Sequence, residues 1–184
     1  MTLPALRRYI CALMSLPLPD LLDPWRAVDS RSDFAGRLPL CKMARLSDLV
    51  LDSSGEADYR LTFFRDERGL AVVTGEVRAS LRLQCQRCLG PLRKDVSARV
   101  AIAMVRGMDE AGQLPEQYDP LLVSEPLIRP RDVVEDELLL SLPQIPMHDA
   151  EECGAASDAW ISDGEPDAGA TSPFAALSSW KRDR

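Results

Sequence analysis

The stretch that decides the fold is AVVTGEVRASLRLQCQRCLGPLRKDVSARVAIAM, residues 71–104. Apolar and polar residues alternate through both halves of this stretch, which is the period of a half-buried β-strand. Between the halves lie Gly90 and Pro91, which favour a chain reversal. The stretch therefore predicts one long β-hairpin with Cys85 and Cys88 at its tip.

The segments that flank the hairpin predict more strands and a few short helices. Alternating Tyr59, Leu61 and Phe63 indicate a strand before the hairpin, and residues 118–123 indicate a short strand after it. Apolar residues at helical spacing predict short helices within 38–49 and 128–143. We therefore predict an α+β fold, an antiparallel β meander with a long hairpin packed by two or three short helices.

The length and composition predict one domain with appendages. With 184 residues, of which 46% are hydrophobic, the chain can bury one core of ordinary size. We assign residues 17–153 to a single α+β domain and residues 1–16 to a loose N-terminal extension, in which Met1 and Met14 are both candidate translation starts. Five cysteines, an odd number at low density, favour a reducing compartment.

The C-terminal region predicts two further segments. Seven acidic residues and no basic residue lie between Asp149 and Asp167, and the composition of residues 154–171 predicts a disordered acidic linker. Residues 172–184 predict a short amphipathic helix, because three apolar side chains recur every third residue. These side chains are candidates for binding a partner: Phe174, Leu177 and Trp180.

The chain shows no signal for secretion or membrane insertion. The apolar run that begins at Tyr9 is about eight residues long and has no small-residue cleavage site after it. No run approaches the ~20 apolar residues of a membrane helix. We therefore expect a soluble cytoplasmic protein with no membrane partner.

Basic residues are concentrated on the predicted hairpin. Between residues 77 and 107 there are seven basic side chains and one acidic side chain, whereas the whole chain has a net charge of −7. Arginines along a strand present planar donors to phosphates, which is the pattern of a nucleic-acid surface. A solvated strand face protected by charge from edge pairing explains the pattern equally well. The RNA-binding candidates are Arg78, Arg82, Arg87, Arg93, Lys94 and Arg99.

Three separated segments resemble one known family. They are LQCQRCL (residues 83–89), VEDELLLSLPQIPMHD (134–149) with Cys153 beyond it, and PFAAL (173–177) near terminal Lys and Arg residues. Together, in this order and spacing, they resemble the YceD family of large ribosomal RNA subunit accumulation proteins. The resemblance implies a non-enzymatic ribosome biogenesis factor that supports the synthesis, processing or accumulation of 23S ribosomal RNA.

The implied partners leave three classes of function open. The first is direct binding of 23S rRNA or its precursor through the arginine-lined hairpin. The second is an adaptor that binds a large-subunit ribosomal protein or assembly factor through the C-terminal helix. The third is a metal or thiol enzyme, which the lack of a phosphate loop, nucleophile elbow or paired-carboxylate motif disfavours. We expect no catalytic residues and no small-molecule substrate.

The C-x-x-C turn is half of a zinc site. A hairpin tip aims two thiolates at one point, and the chain offers His148 and Cys153 to complete a Cys3His set with Cys85 and Cys88. The alternative is that the cysteines are reduced thiols and His148 is a capping or core residue. A redox role is disfavoured because the motif leads into a strand and not into a helix. Zinc is therefore a candidate cofactor.

Overall fold

A five-stranded sheet is the centre of the fold in the computed structural model, which describes residues 17–149 and 151–153. The strands are β1 (Asp33–Pro39), β2 (Glu56–Arg65), β3 (Ala71–Gln84), β4 (Pro91–Val105) and β5 (Asp119–Leu122). They lie in the sheet in chain order, and each pair from β1 to β4 is antiparallel. The short β5 runs parallel to β4 at one edge.

Strands β3 and β4 form the long hairpin that the sequence predicts. They are 14 and 15 residues long and pair from Val72 with Ala103 to Gln84 with Pro91 at the tip. Burial alternates along β3 because one face of the sheet packs against helices and the other is open. The α+β prediction and the hairpin are therefore confirmed.

Four α-helices and one 3-10 turn complete the described part of the chain. Helix α1 (Pro24–Asp29) contacts β2 and β3, while α4 (Pro130–Ser141) contacts β3, β4 and α2. Helix α2 (Ala44–Ser47) follows a 3-10 turn, Leu40–Lys42, and α3 (Met108–Ala111) lies between β4 and β5. Because α1 and α4 bury the apolar face of the hairpin, the side chains of the opposite face remain available for binding.

The predicted helix within 38–49 is wrong in its first part. Leu38 and Pro39 complete β1, which pairs with β2 and which the sequence did not reveal. Pro39 has extended backbone angles, φ −61° and ψ 131°. Ladder bonds to β2 outweigh the weak helical pattern of this segment, a common outcome for short elements. The helical part is reduced to α2 and the turn before it.

The sequence analysis also made predictions about membrane helices and about the terminal segments. Among the residues that the structure describes, none of the helices combines the length and apolar character needed to cross a membrane. The predicted extension 1–16, the linker 154–171 and the helix 172–184 lie outside the described residues. The division of the chain into these segments stays a prediction.

Candidate functional site

The turn at the tip of the hairpin holds two sulfur atoms in a fixed arrangement. The N–H of Cys85 donates to the carbonyl of Gly90, and the N–H of Leu89 donates to the carbonyl of Cys85, both at 2.9 Å. Leu89 adopts a left-handed conformation with φ 60°. The N–H groups of Arg87 and Cys88 point at the Cys85 sulfur, and that of Gly90 points at the Cys88 sulfur. The turn therefore surrounds its sulfurs with hydrogen-bond donors.

The segment after α4 returns to this turn. The helix ends before Pro143, and the chain continues without helix or strand through Pro146, because proline lacks the N–H that would extend a helix. The N–H of Gln86 donates to the Pro146 carbonyl at 2.8 Å, and that of His148 donates to the Cys85 sulfur at 3.5 Å. These two bonds join the segment to the hairpin tip.

Four side chains that the sequence analysis singled out as metal candidates meet at this point. The ligand atoms of Cys85, Cys88, His148 and Cys153 all lie within 4.8 Å of one another. Nδ1 of His148 is 3.4 Å from the Cys88 sulfur, and a turn in which the Cys153 N–H donates to the Asp149 carbonyl brings the last sulfur into place. Cys85 is fully buried and the other three are half-buried. We call these four residues the tip cluster.

The surroundings shift the pKa values of the two thiols of the C-x-x-C motif in opposite directions. Burial raises the pKa of Cys85. The N–H groups of Cys88, His148 and Arg87 together lower it by more than burial raises it, so the pKa falls to about 5. The N–H of Gly90 lowers the pKa of Cys88, whereas burial and the neighbouring sulfurs raise it, and the net shift is upward. The N–H donors therefore favour a thiolate at Cys85 at neutral pH.

The open face of the sheet carries most of the RNA-binding candidates, and β1 and β2 change its charge. Directly paired residues share a face, so the register assigns Arg78, Arg82, Arg93 and Arg99 to the open face. This face of β1 to β4 has six basic residues in total and five acidic ones, namely Asp33, Glu56, Asp58, Glu76 and Asp95. The positive excess that the hairpin shows in the sequence is therefore largely balanced across the sheet.

The centre of the open face is occupied by ion pairs. Arg78 contacts Glu76 at 2.6 Å, and Arg99 lies directly opposite Glu76 in the register. On the neighbouring strands, Arg37 contacts Asp58 at 3.1 Å. Acidic neighbours of this kind compete with phosphates for the arginines, so this part of the face is a weak candidate for RNA.

The tip half of the hairpin is different, because two arginines lie directly opposite each other. Arg82 and Arg93 are paired in the register. Like charges at directly opposite positions destabilise a sheet. Arg82 is 3.5 Å from Asp52 on an exposed loop, while Arg93 donates to the Ser80 hydroxyl at 2.8 Å. Arg82 therefore has an acidic partner, whereas the contact shown for Arg93 is a neutral hydroxyl.

The remaining two basic candidates lie close to the same end of the sheet. Arg87 is in the tip turn and approaches the Met147 sulfur at 4.0 Å. Lys94 pairs with Leu81 and so belongs to the helix-covered face, where its own side chain is exposed. We use the name tip surface for Arg82, Arg87, Arg93 and Lys94.

The partner-binding candidates Phe174, Leu177 and Trp180 lie outside the described residues. The described part does contain exposed apolar side chains beside the tip cluster. Leu49, Leu51 and Ile145 are 57%, 52% and 63% exposed. The two leucines line a groove that also includes Pro143 and Pro146. No pattern in the sequence indicates this groove, because its walls come from segments about 90 residues apart.

Two supporting groups of the tip cluster are backbone atoms, which no residue pattern identifies. They are the Pro146 carbonyl, which fixes the returning segment, and the Pro91 carbonyl, 3.1 Å from Nε2 of His148. The only signal for them is the spacing of Pro143 and Pro146, which forces an extended chain toward His148.

The sheet with its C-x-x-C tip defines a class of small α+β proteins in which a hairpin turn and a C-terminal segment share one site. The family model described as large ribosomal RNA subunit accumulation protein YceD matches residues 73–181 of the chain. That match takes in the hairpin, α4 and the whole tip cluster.

A relative supports the same assignment over most of the chain. The large ribosomal RNA subunit accumulation protein YceD of Haemophilus influenzae is 31% identical over 176 residues, covering 92% of this chain and 99% of the relative. The chain therefore belongs to the YceD family, as its sequence motifs indicate. No solved structure matches it.

Proposed function

We propose that this chain supports the accumulation of large-subunit ribosomal RNA and contacts that RNA through the tip surface. The proposal of the cellular role rests on family membership, since the relative that covers almost the whole chain is named for this role. Neither the family description nor the relative's name mentions an enzymatic activity. That the chain is not an enzyme stays a prediction.

The observation that carries the RNA contact is the Arg82–Arg93 pair. A phosphate between two facing arginines would relieve their repulsion and accept hydrogen bonds from both planar guanidinium groups. Arg87 in the tip turn adds a further cation at this end of the hairpin, and Lys94, next to Arg93 in β4, adds one on the opposite face of the sheet. Such contacts position a protein on RNA without reading its sequence. We therefore assign Arg78 and Arg99 a secondary role, because Glu76 lies beside both.

The test compares two variants that lose the same charge. Arg82→Ser/Arg93→Ser removes the facing pair, and Arg78→Ser/Arg99→Ser removes two arginines from the same face. Binding to transcribed fragments of large-subunit rRNA is measured by fluorescence anisotropy over a series of salt concentrations. Each phosphate contact contributes about 0.7–0.9 to the slope of log affinity against log salt, so the first variant should flatten the slope by about 1.4–1.8. The second variant should change it less.

Thermal unfolding provides the control for folding, because exposed strand substitutions usually change stability by no more than about 0.5 kcal/mol. Equal effects of the two variants would contradict a specific role of the tip surface. In cells that lack the protein, the wild type and the Arg78/Arg99 variant should restore the ratio of large- to small-subunit rRNA. The Arg82/Arg93 variant should not.

A second candidate function is that of an adaptor, which the exposed Leu49, Leu51 and Ile145 favour. Exposed apolar side chains grouped around a groove are typical of protein-binding surfaces. Under this alternative, the wild type binds no rRNA fragment but retains a ribosomal protein in a pull-down. That retention would be lost on replacing Phe174 and Trp180, or Leu49 and Leu51, by Ser.

A further inference from the structure

The tip cluster contains most of the cysteine and histidine side chains of the chain, which are the usual ligands of zinc. The sequence has five cysteines and one histidine, and three of those cysteines meet that histidine at one point. They arrive from two places about 60 residues apart in sequence. A purely apolar contact between the tip and the returning segment would not need this composition.

The spacing of the cluster suits a single small ion. In a tetrahedral site with Zn–S bonds of about 2.3 Å and Zn–N bonds of about 2.0–2.1 Å, neighbouring ligand atoms lie about 3.5–3.8 Å apart. The 3.4 Å between Nδ1 of His148 and the Cys88 sulfur agrees with this value, and the four ligand atoms are all within 4.8 Å. Rotamer adjustments of about 1 Å would complete the tetrahedron.

The backbone around the sulfurs is arranged for thiolates. The N–H of His148 donates to the buried Cys85 sulfur at 3.5 Å, so the returning segment supplies a donor to this sulfur. A neutral thiol is a weak acceptor and gains little from several donors, whereas a thiolate gains from each of them. Leu89 adopts its left-handed conformation to close this turn, which costs backbone energy that a bound ion would offset.

The imidazole of His148 is oriented by its second nitrogen. Nε2 lies 3.1 Å from the Pro91 carbonyl, an acceptor only, so Nε2 carries the proton and donates to it. Nδ1 is then left with its lone pair directed into the cluster, beside Cys88. A carbonyl that fixes the tautomer of a histidine in this way is the usual outer partner of a metal ligand.

We propose that Cys85, Cys88, Cys153 and Nδ1 of His148 bind one zinc ion in a closed, structural site. Three thiolates and one imidazole form a ligand set that selects zinc among the common divalent ions. All four positions are filled by the protein, which leaves none for a substrate. The ion fastens the returning segment to the hairpin tip, and this role does not depend on RNA binding.

Metal analysis of the full-length protein, purified under reducing conditions, tests the proposal. We expect about one zinc per chain. Cobalt added to the metal-free protein should produce the visible bands of a tetrahedral ion together with thiolate-to-cobalt charge transfer in the near ultraviolet. Removing zinc with a chelator should lower the melting temperature, and adding it back should restore it.

Matched variants locate the site. Cys85→Ser/Cys88→Ser should abolish zinc and the cobalt spectrum, whereas Cys41→Ser, an exposed cysteine outside the cluster, should leave both unchanged. His148→Cys should retain zinc and shift the cobalt bands toward those of a four-thiolate site, a result that does not require loss of the fold. Wild-type protein that binds neither zinc nor cobalt would overturn the proposal. Equal zinc content in wild type and Cys85→Ser/Cys88→Ser would overturn it too.

Discussion

At the scale of single residues, the buried carboxylate of Glu135 stabilises the contact between α2 and α4. It is 4% exposed, and its two oxygens accept hydrogen bonds from the Leu46 N–H and from Arg45, both at 3.1 Å. Leu46 lies in the first turn of α2, where the N–H groups have no partner within the helix. The carboxylate on α4 therefore caps α2 and joins the two helices through a single buried group.

Replacing Glu135 by Ala should destabilise the protein by about 2–4 kcal/mol, because the buried Leu46 N–H loses its acceptor and Arg45 loses a partner. Urea unfolding followed by circular dichroism measures this change. Asp136→Ala is the matched control, since Asp136 also pairs with Arg45 but is half exposed. It should cost no more than about 1 kcal/mol. Equal losses would show that the charge of Arg45, and not the cap, is what matters.

At the scale of elements, Gly75 in β3 lies so close to the backbone of β2 that no side chain fits at this position. A Cβ atom at this position would lie 1.9 Å from the backbone oxygen of Arg60. No rotamer change relieves a contact with backbone, so the strands themselves would have to separate. A glycine within a strand normally weakens it, and here the close approach explains why it is present.

Gly75→Ala should therefore destabilise the protein by about 3 kcal/mol or more, with loss of the cooperative unfolding transition in the worst case. The measurement is thermal unfolding followed by circular dichroism. Gly107→Ala is the control, because a Cβ at Gly107 meets nothing within 4 Å. Its effect should stay within about 0.5 kcal/mol. A Gly75→Ala variant as stable as the control would mean that the strands can shift freely.

The elements that the sequence predicts well are those with a long, regular pattern. The β3–β4 hairpin is visible because its alternation lasts through two strands, and α4 because prolines bound a helical pattern. Strand β1 is not visible, since its seven residues include Gly36 and Pro39 and its extended form depends on pairing with β2. The charge balance of the open face is hidden for the same reason, because Glu56 and Asp58 become neighbours of the hairpin only in the sheet.

At the scale of the whole molecule, opposite charges meet at one end. The basic tip surface and the tip cluster lie at the same end of the sheet, and the acidic stretch of the sequence begins at Asp149, directly after His148 of that cluster. Acidic groups tethered beside a cationic surface compete with RNA phosphates for it, and the effect weakens as salt screens the charges.

Neutralising the four acids of residues 154–171, by Asp158→Asn, Asp163→Asn, Glu165→Gln and Asp167→Asn, should therefore raise the affinity for rRNA fragments at low salt. The gain should disappear at high salt. The control neutralises four exposed acids at the opposite end of the sheet, namely Glu67, Asp109, Glu116 and Glu125. Fluorescence anisotropy measures both. A similar gain in the control would show that only net charge counts.

The two halves of the tip cluster are far apart in sequence, and this has a consequence during synthesis of the chain. His148 follows Cys88 by 60 residues, which is about 3–12 s of elongation at about 5–20 residues per second. During that interval the nascent chain carries a C-x-x-C turn without its other two ligands, and its thiolates are open to oxidation. The survival of these thiolates in reduced form would then depend on how fast the ribosome adds the 60 residues between Cys88 and His148.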